Sequence, residues 1–130
     1  MNNLIDLEKK INSELGTKIN STKIKHNQIY VNIDKEDLID VTLFFKTNKN
    51  TKFRQLIDIT VVDYPEQTQR FKVVYLLLSH EFNQRVIISY SITENEVIPS
   101  LTSIFPSANW MEREVFDMYG VNSVSYTHLR

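Results

Sequence analysis

Phe71-Lys72-Val73-Val74-Tyr75-Leu76-Leu77-Leu78 constrains this chain more than any other segment. It is far short of the ~20 residues a membrane-spanning helix needs. On a strand, successive side chains point to opposite faces, so a run apolar at almost every position predicts a central strand covered on both sides. The neighbouring sequence fits a sheet built around it. Residues 56–62 are dense in β-branched types, Asp63-Tyr64-Pro65-Glu66 reads as a turn, and Asn83-Gln84 breaks the apolar run. Val86, Ile88, Tyr90 and Ile92 then alternate with Arg85, Ile87, Ser89 and Ser91, as expected for a strand with one wetter face. Ile29, Val31 and Ile33 mark a further strand. Short connections favour antiparallel hairpins, because parallel crossovers need a dozen residues or more.

Two helices flank the first strand. Leu4, Leu7, Ile11 and Leu15 share one helical face, with Gly16 where a left-handed terminator would sit. Asp34 is placed to cap a second helix, Lys35-Glu36-Asp37 puts acids in its first turn, and Leu38, Val41 and Phe45 form its buried stripe, widened by Leu43 and Phe44. Lys46 and Lys49 suit its C-terminal end. The expected class is α+β: helices on a mostly antiparallel sheet of about four strands. No linker or repeat divides residues 1–130, so a single domain is expected.

Composition excludes several functions. The absence of cysteine removes disulfides, iron–sulfur ligation and thiolate zinc sites. Fifteen Lys and Arg against sixteen Asp and Glu leave no basic excess to drive nucleic-acid binding. Met1 to Asp6 lacks the basic and apolar regions of a signal peptide, which points to a soluble chain of a reducing compartment. His26, His80 and His128 lack metal-ligand spacing, and Gly16 and Gly120 are too far apart for a glycine-rich phosphate loop. Ser79-His80-Glu81 is no triad, since neighbours on a strand diverge.

The chemistry-bearing residues gather after Pro99. Ser100 to Pro106 predicts a short helical turn. A helix then runs from Asn109 through Trp110, Glu112, Arg113, Glu114, Phe116, Asp117 and Tyr119 to Gly120. Asn109 and Glu112 have the spacing of a capping box, and Arg113 and Asp117 can pair at i, i+4. Large apolar groups round most of this helix leave no obvious solvated face. Glu112 and Glu114 therefore need cationic or hydrogen-bonding partners. Three readings compete: a core helix, a helix that docks on a partner chain, and an acid/base pair made of Glu112 and Glu114. The third is weakest, because residues two apart on a helix diverge by about 200°.

Ala108-Asn-Trp-Met-Glu-Arg-Glu-Val-Phe-Asp-Met-Tyr-Gly-Val121 resembles the signature of the thirty-kilodalton subunit family of respiratory complex I. Its members are also known as the C subunit of NADH:quinone oxidoreductase, or as mitochondrial subunit 9. Val62-Asp63-Tyr64-Pro65, Arg70 to Tyr75, Leu77-Leu78-Ser79, Asn83 to Val86, Ile98-Pro99-Ser100 and Ile104-Phe105-Pro106 carry the resemblance upstream. The resemblance implies a subunit with no catalytic, cofactor-binding or metal-binding residues of its own in the peripheral arm of a proton-translocating enzyme. NADH, FMN, iron–sulfur clusters and quinone would be bound elsewhere in that assembly. It implies docking on the forty-nine-kilodalton (D) subunit, no nucleic-acid partner, and indirect attachment to the inner membrane on the bacterial cytoplasmic or mitochondrial matrix side. Trp110, Glu112, Arg113, Glu114, Phe116, Asp117, Tyr119 and Gly120 would be interfacial or structural. The equivalent subunit of a membrane-bound hydrogenase or F420H2 dehydrogenase fits the same resemblance. An autonomous acid/base enzyme using Glu112 and Glu114 is the rival of a different kind. At its end the chain departs from the family: Tyr126-Thr127-His128 stands where His-Pro-Asp is expected, implying C-terminal truncation.

Overall fold

A computed structural model describes residues 4–48, 51–93, 96–119 and 122–124, with only the backbone of 116–119 and 122–124. In chain order the elements are α1 (Leu4–Leu15), β1 (Ser21–Lys25), β2 (Gln28–Asn32), α2 (Leu38–Thr47), β3 (Gln55–Asp63), β4 (Phe71–Ser79), β5 (Gln84–Ile92), β6 (Val97–Pro99), α3 (Ala108–Tyr119) and β7 (Asn122–Val124). The α+β class stands, but the main sheet has five strands, ordered β1-β2-β5-β4-β3.

The additional strand is β1, whose sequence Ser-Thr-Lys-Ile-Lys hides its period behind lysines. It forms a hairpin with β2 through the two-residue turn His26-Asn27. Both turn residues have positive φ, 53° and 61°, which matches the twist of the flanking strands. Strands β3, β4 and β5 form antiparallel hairpins as expected. β2 instead joins β5 in parallel after α2, β3 and β4 have intervened. Local connection lengths do not register such a long-range pairing. Consequently β5, not β4, lies at the centre of the sheet. A short parallel pair, β6 with β7, stands apart.

One core lies on one side of the sheet. Ile29, Val31, Phe71, Val73, Tyr75, Leu77, Val86, Ile88, Tyr90 and Ile92 face it from the strands. All three helices contribute to it: Leu7, Ile11 and Leu15 from α1, Leu38, Val41 and Phe45 from α2, and Ala108, Met111 and Val115 from α3. Phe45 meets Phe53 edge-on, with ring centroids 5.3 Å apart. The opposite face of the sheet carries no helix among the described residues. Along β4, buried residues alternate with half-buried Lys72, Val74, Leu76 and Leu78. The expectation that this strand is covered on both sides is therefore not met.

Helix ends also differ in detail from the sequence reading. Gly16 does not adopt a left-handed conformation; it opens a 3₁₀ turn, Gly16–Lys18. Asp34 precedes another 3₁₀ turn, Lys35–Asp37, and makes no side-chain cap. It instead accepts a bond from the Asn20 amide at 3.0 Å. Buried Thr51 serves the end of α2, donating to the Phe45 carbonyl at 2.8 Å. Lys49 lies outside the described residues. Lys46 donates to the Ile104 carbonyl and sits 5.3 Å from the centre of the Phe105 ring, joining α2 to the turn before α3. Among the described residues, no helix is long and apolar enough to cross a membrane.

Candidate functional site

The segment from Ile98 to Val115 folds as a turn with a helix resting on it. Ile98 and Leu101 are buried, and the Ile104 and Phe105 amides both donate to the Leu101 carbonyl, giving the expected helical turn. Pro106 ends that turn. α3 starts at Ala108, two residues earlier than the capping box requires, so Asn109 lies inside the helix.

Ala108, Met111, Glu112 and Val115 follow the i, i+3, i+4, i+7 rule and form the inward stripe. Glu112 thus occupies a core position, 3% exposed. Its Oε1 accepts from Ser100 Oγ at 2.6 Å and its Oε2 from the Leu101 amide at 2.8 Å. Ser100 Oγ lies 2.8 Å from Thr102 Oγ1, extending the network along the turn. These bonds replace the reciprocal bond expected with Asn109. Beneath them the buried Tyr75 and Tyr90 hydroxyls meet at 2.7 Å. Burial pushes the Glu112 carboxyl above its ordinary range, against the downward pull of Ser100, Leu101 and Thr102. Burial also drives the Tyr75 hydroxyl well up, with the charges of Tyr90 and Glu112 adding to the effect. Among the described residues, no ion pair involves Glu112.

The outward side has a different character. Trp110 is 65% exposed, more than any other large apolar side chain of the described chain. Arg113 and Glu114 are also exposed. Glu112 and Glu114 therefore point to different environments, one into the protein and one into water, and do not converge on a common centre. Phe116, Asp117 and Tyr119 lie on the last turns of α3, where side chains are not described, and Gly120 lies outside the described residues. The pairing of Arg113 with Asp117 falls there too. Sequence reasoning missed the roles of Ser100, Thr102, Tyr75 and Tyr90. The signal available was the spacing of Glu112 from Ala108 and Val115, which puts it in the buried stripe.

Two further features limit the chemistry. A cleft of about 190 Å³ lies where the C-terminal ends of β2 and β5 meet the 3₁₀ turn. Polar side chains dominate it, and its Lys35 and Glu96 pair at 2.7 Å. This is unlike the apolar pocket of a small-molecule binder. Among the described residues, no group of three or more His, Asp and Glu side chains could hold a metal ion.

Residues 31–130 match the model of the respiratory-chain NADH dehydrogenase 30 Kd subunit. The chain belongs to that family. It is 46% identical over 110 residues to the NADH-quinone oxidoreductase C subunit of Dinoroseobacter shibae, covering 85% of this chain and 51% of the relative. Against the C 1 subunit of the same enzyme from Rhizobium meliloti the identity is 40% over 115 residues, covering 88% and 57%. The chain thus spans little more than half the length of these relatives. Among solved structures, the trypsin-resistant fragment (1-134) of Nqo5 superposes with a TM-score of 0.77 at 23% identity, covering 95% of this chain and 98% of that one. A chain of the archaeal membrane-bound sulfane sulfur reductase superposes with a TM-score of 0.80 at 21% identity, covering 96% and 71%. Both share the fold of this complex I family member.

Proposed function

We propose that this chain is a non-redox structural subunit of the peripheral arm of a proton-translocating NADH:quinone oxidoreductase, held on the D subunit by α3. In this reading NADH, FMN, iron–sulfur clusters and quinone are bound by other chains. The protein sits at the inner-membrane surface through its partners, on the bacterial cytoplasmic or mitochondrial matrix side. The observation that carries the reading is the exposed indole of Trp110 on a helix anchored from below, in a chain of this family. A rigidly held aromatic flanked by Arg113 and Glu114 has the make-up of an interface hot spot, where a few residues supply most of the affinity. In this reading the signature residues Phe116, Asp117, Tyr119 and Gly120 also serve that contact.

The role is positional. Electron transfer and quinone reduction depend on neighbouring subunits being fixed to within fractions of an ångström to an ångström or so. Glu112 supports this from the inside, since its two hydrogen bonds set the position of α3 on the turn at 100–102.

Co-purification of the tagged chain with the D subunit tests the proposal. Trp110→Ala is expected to weaken that association by about 2 kcal/mol, or some thirtyfold, while thermal stability hardly changes. If the wild-type chain fails to retain the D subunit at low salt, or Trp110→Ala retains it unchanged, docking through α3 is wrong. An equivalent role in a membrane-bound hydrogenase or F420H2 dehydrogenase would be recognised by co-purification with the electron-input chains of those complexes instead.

A further inference from the structure

The face of the sheet turned away from the helices has a composition that does not suit open water. Strand register places Lys23, Tyr30, Ile87, Leu76 and Asp58 in one row across all five strands. Val74 and Leu78 lie either side of Leu76 on the same face of β4. Tyr30, Val74, Leu76, Leu78 and Ile87 are half-buried by their neighbours in the sheet, and none belongs to the core cluster. Exposed Lys23, Lys25 and Arg85, with half-buried Lys72, surround this apolar band. None of the four cations is in an ion pair with another described residue. Asp58 is the single acid among the register-paired positions of this face. Since the whole chain carries sixteen acids for fifteen cations, the imbalance is local to the face.

The geometry points to this outer sheet face as a second docking surface, one that receives an acidic amphipathic helix of a partner protein. A helix laid across the sheet would bury its apolar stripe on Tyr30, Ile87 and Leu76, completing the two-sided cover that the apolar run of β4 calls for. Acids flanking that stripe would meet the cationic rim, which sets orientation and speeds encounter more than it adds affinity. A second copy of this chain fits poorly, because it would bring four cations against the same four. A lipid surface would satisfy the cations, but this apolar band is a row of half-buried sheet residues and not the exposed amphipathic helix that lies in a membrane interface. The inference does not depend on docking through α3, which belongs to the helix layer on the other side of the sheet.

The test places a photo-reactive benzophenone side chain at position 87 of the full chain in the cells that make it. The assembly is purified after irradiation and the cross-linked peptides are sequenced. The expected product joins position 87 to a net-acidic helical segment of another protein. Its yield should fall about tenfold when Lys23, Lys25 and Arg85 are changed together to Glu, three exposed positions whose reversal leaves the circular dichroism unchanged. Cross-links to a second copy, to lipid, to nucleic acid or to another segment of this same chain overturn the inference. So do the absence of any product and a yield that ignores the charge reversal. The same probe at position 110 reports separately on α3, so failure at one surface is distinguishable from failure at the other.

Discussion

Replacing Glu112 separates a carboxylate that holds the structure together from one that is merely tolerated. Glu112→Ala removes both acceptors, leaving the Leu101 amide buried without a partner, while Ser100 Oγ can still turn to Thr102. An unsatisfied buried amide costs about 1–3 kcal/mol. The lost Cγ methylene adds about 0.8 kcal/mol. Freedom from burying a charge offsets part of this, so the net loss is expected near about 2 kcal/mol, or about 7 °C in Tm for a domain of this size. Glu112→Gln should behave differently. Its amide oxygen can accept from Leu101 while its NH2 donates to Ser100 Oγ, whose own proton goes to Thr102 Oγ1. The Leu101 amide and the Ser100 hydroxyl both keep acceptors and only the second Gln N–H lacks an assigned one, so Glu112→Gln should lose less stability at pH 7 than Glu112→Ala.

The pH dependence gives the sharper readout. Because the Glu112 carboxyl is raised in the folded protein, the folded state takes up a proton more readily than the unfolded chain. Stability from this group therefore increases as pH falls through its folded pKa toward the ordinary value of 4.5, and is unchanged below that. The Gln variant lacks the gain, so the wild-type advantage over it should grow across that window. Urea unfolding followed by circular dichroism at several pH values measures both effects. An Ala variant within about 0.5 kcal/mol of wild type, or a wild-type–Gln difference that is flat with pH, would refute the account of Glu112.

Two other expectations concern the sheet. Changing His26-Asn27 to Asn-Gly should raise stability by about 0.5–1 kcal/mol, because both positions require positive φ; an unchanged urea midpoint would count against a two-residue turn there. Arg70 clamps the β3–β4 hairpin by donating to both Asp63 oxygens at 2.7 and 2.9 Å, which holds the Asp63 carboxyl below its ordinary 3.8. The stability lost in Asp63→Asn at neutral pH should disappear as pH falls through that lowered pKa, since wild type then protonates and loses the same contact.

The elements that could be read from sequence are those whose burial is dictated locally. Leu7-Ile11-Leu15, Leu38-Val41-Phe45 and the alternation from Val86 to Ile92 are all core-facing where their period places them. β1 escaped because its inward period rests on Thr22 and Ile24 alone, set among lysines. The parallel union of β2 with β5 escaped because residues 29–32 pair with 86–89 across a stretch of chain that contains α2, β3 and β4. At the candidate site, the reading that the acids must find partners held for Glu112 and found them within the chain. A carboxylate in a helical stripe looks like a surface residue until the turn that supplies its donors is in place, and Ser100 is twelve residues away.

That inward turn of Glu112 also explains why its helix leaves Trp110 outside. One face of α3 is committed to the core and to the turn at 100–102, so an indole two residues before Glu112 is directed away from it. On the far side of the sheet, no described helix covers the apolar positions of β4 and β5, since α1, α2 and α3 all pack on the other face. Adding another helix layer would be the usual answer for a chain folding alone. Under the two docking proposals, one rigid core between two surfaces would hold two neighbours at a fixed separation, which is the physical work a positional subunit has to do.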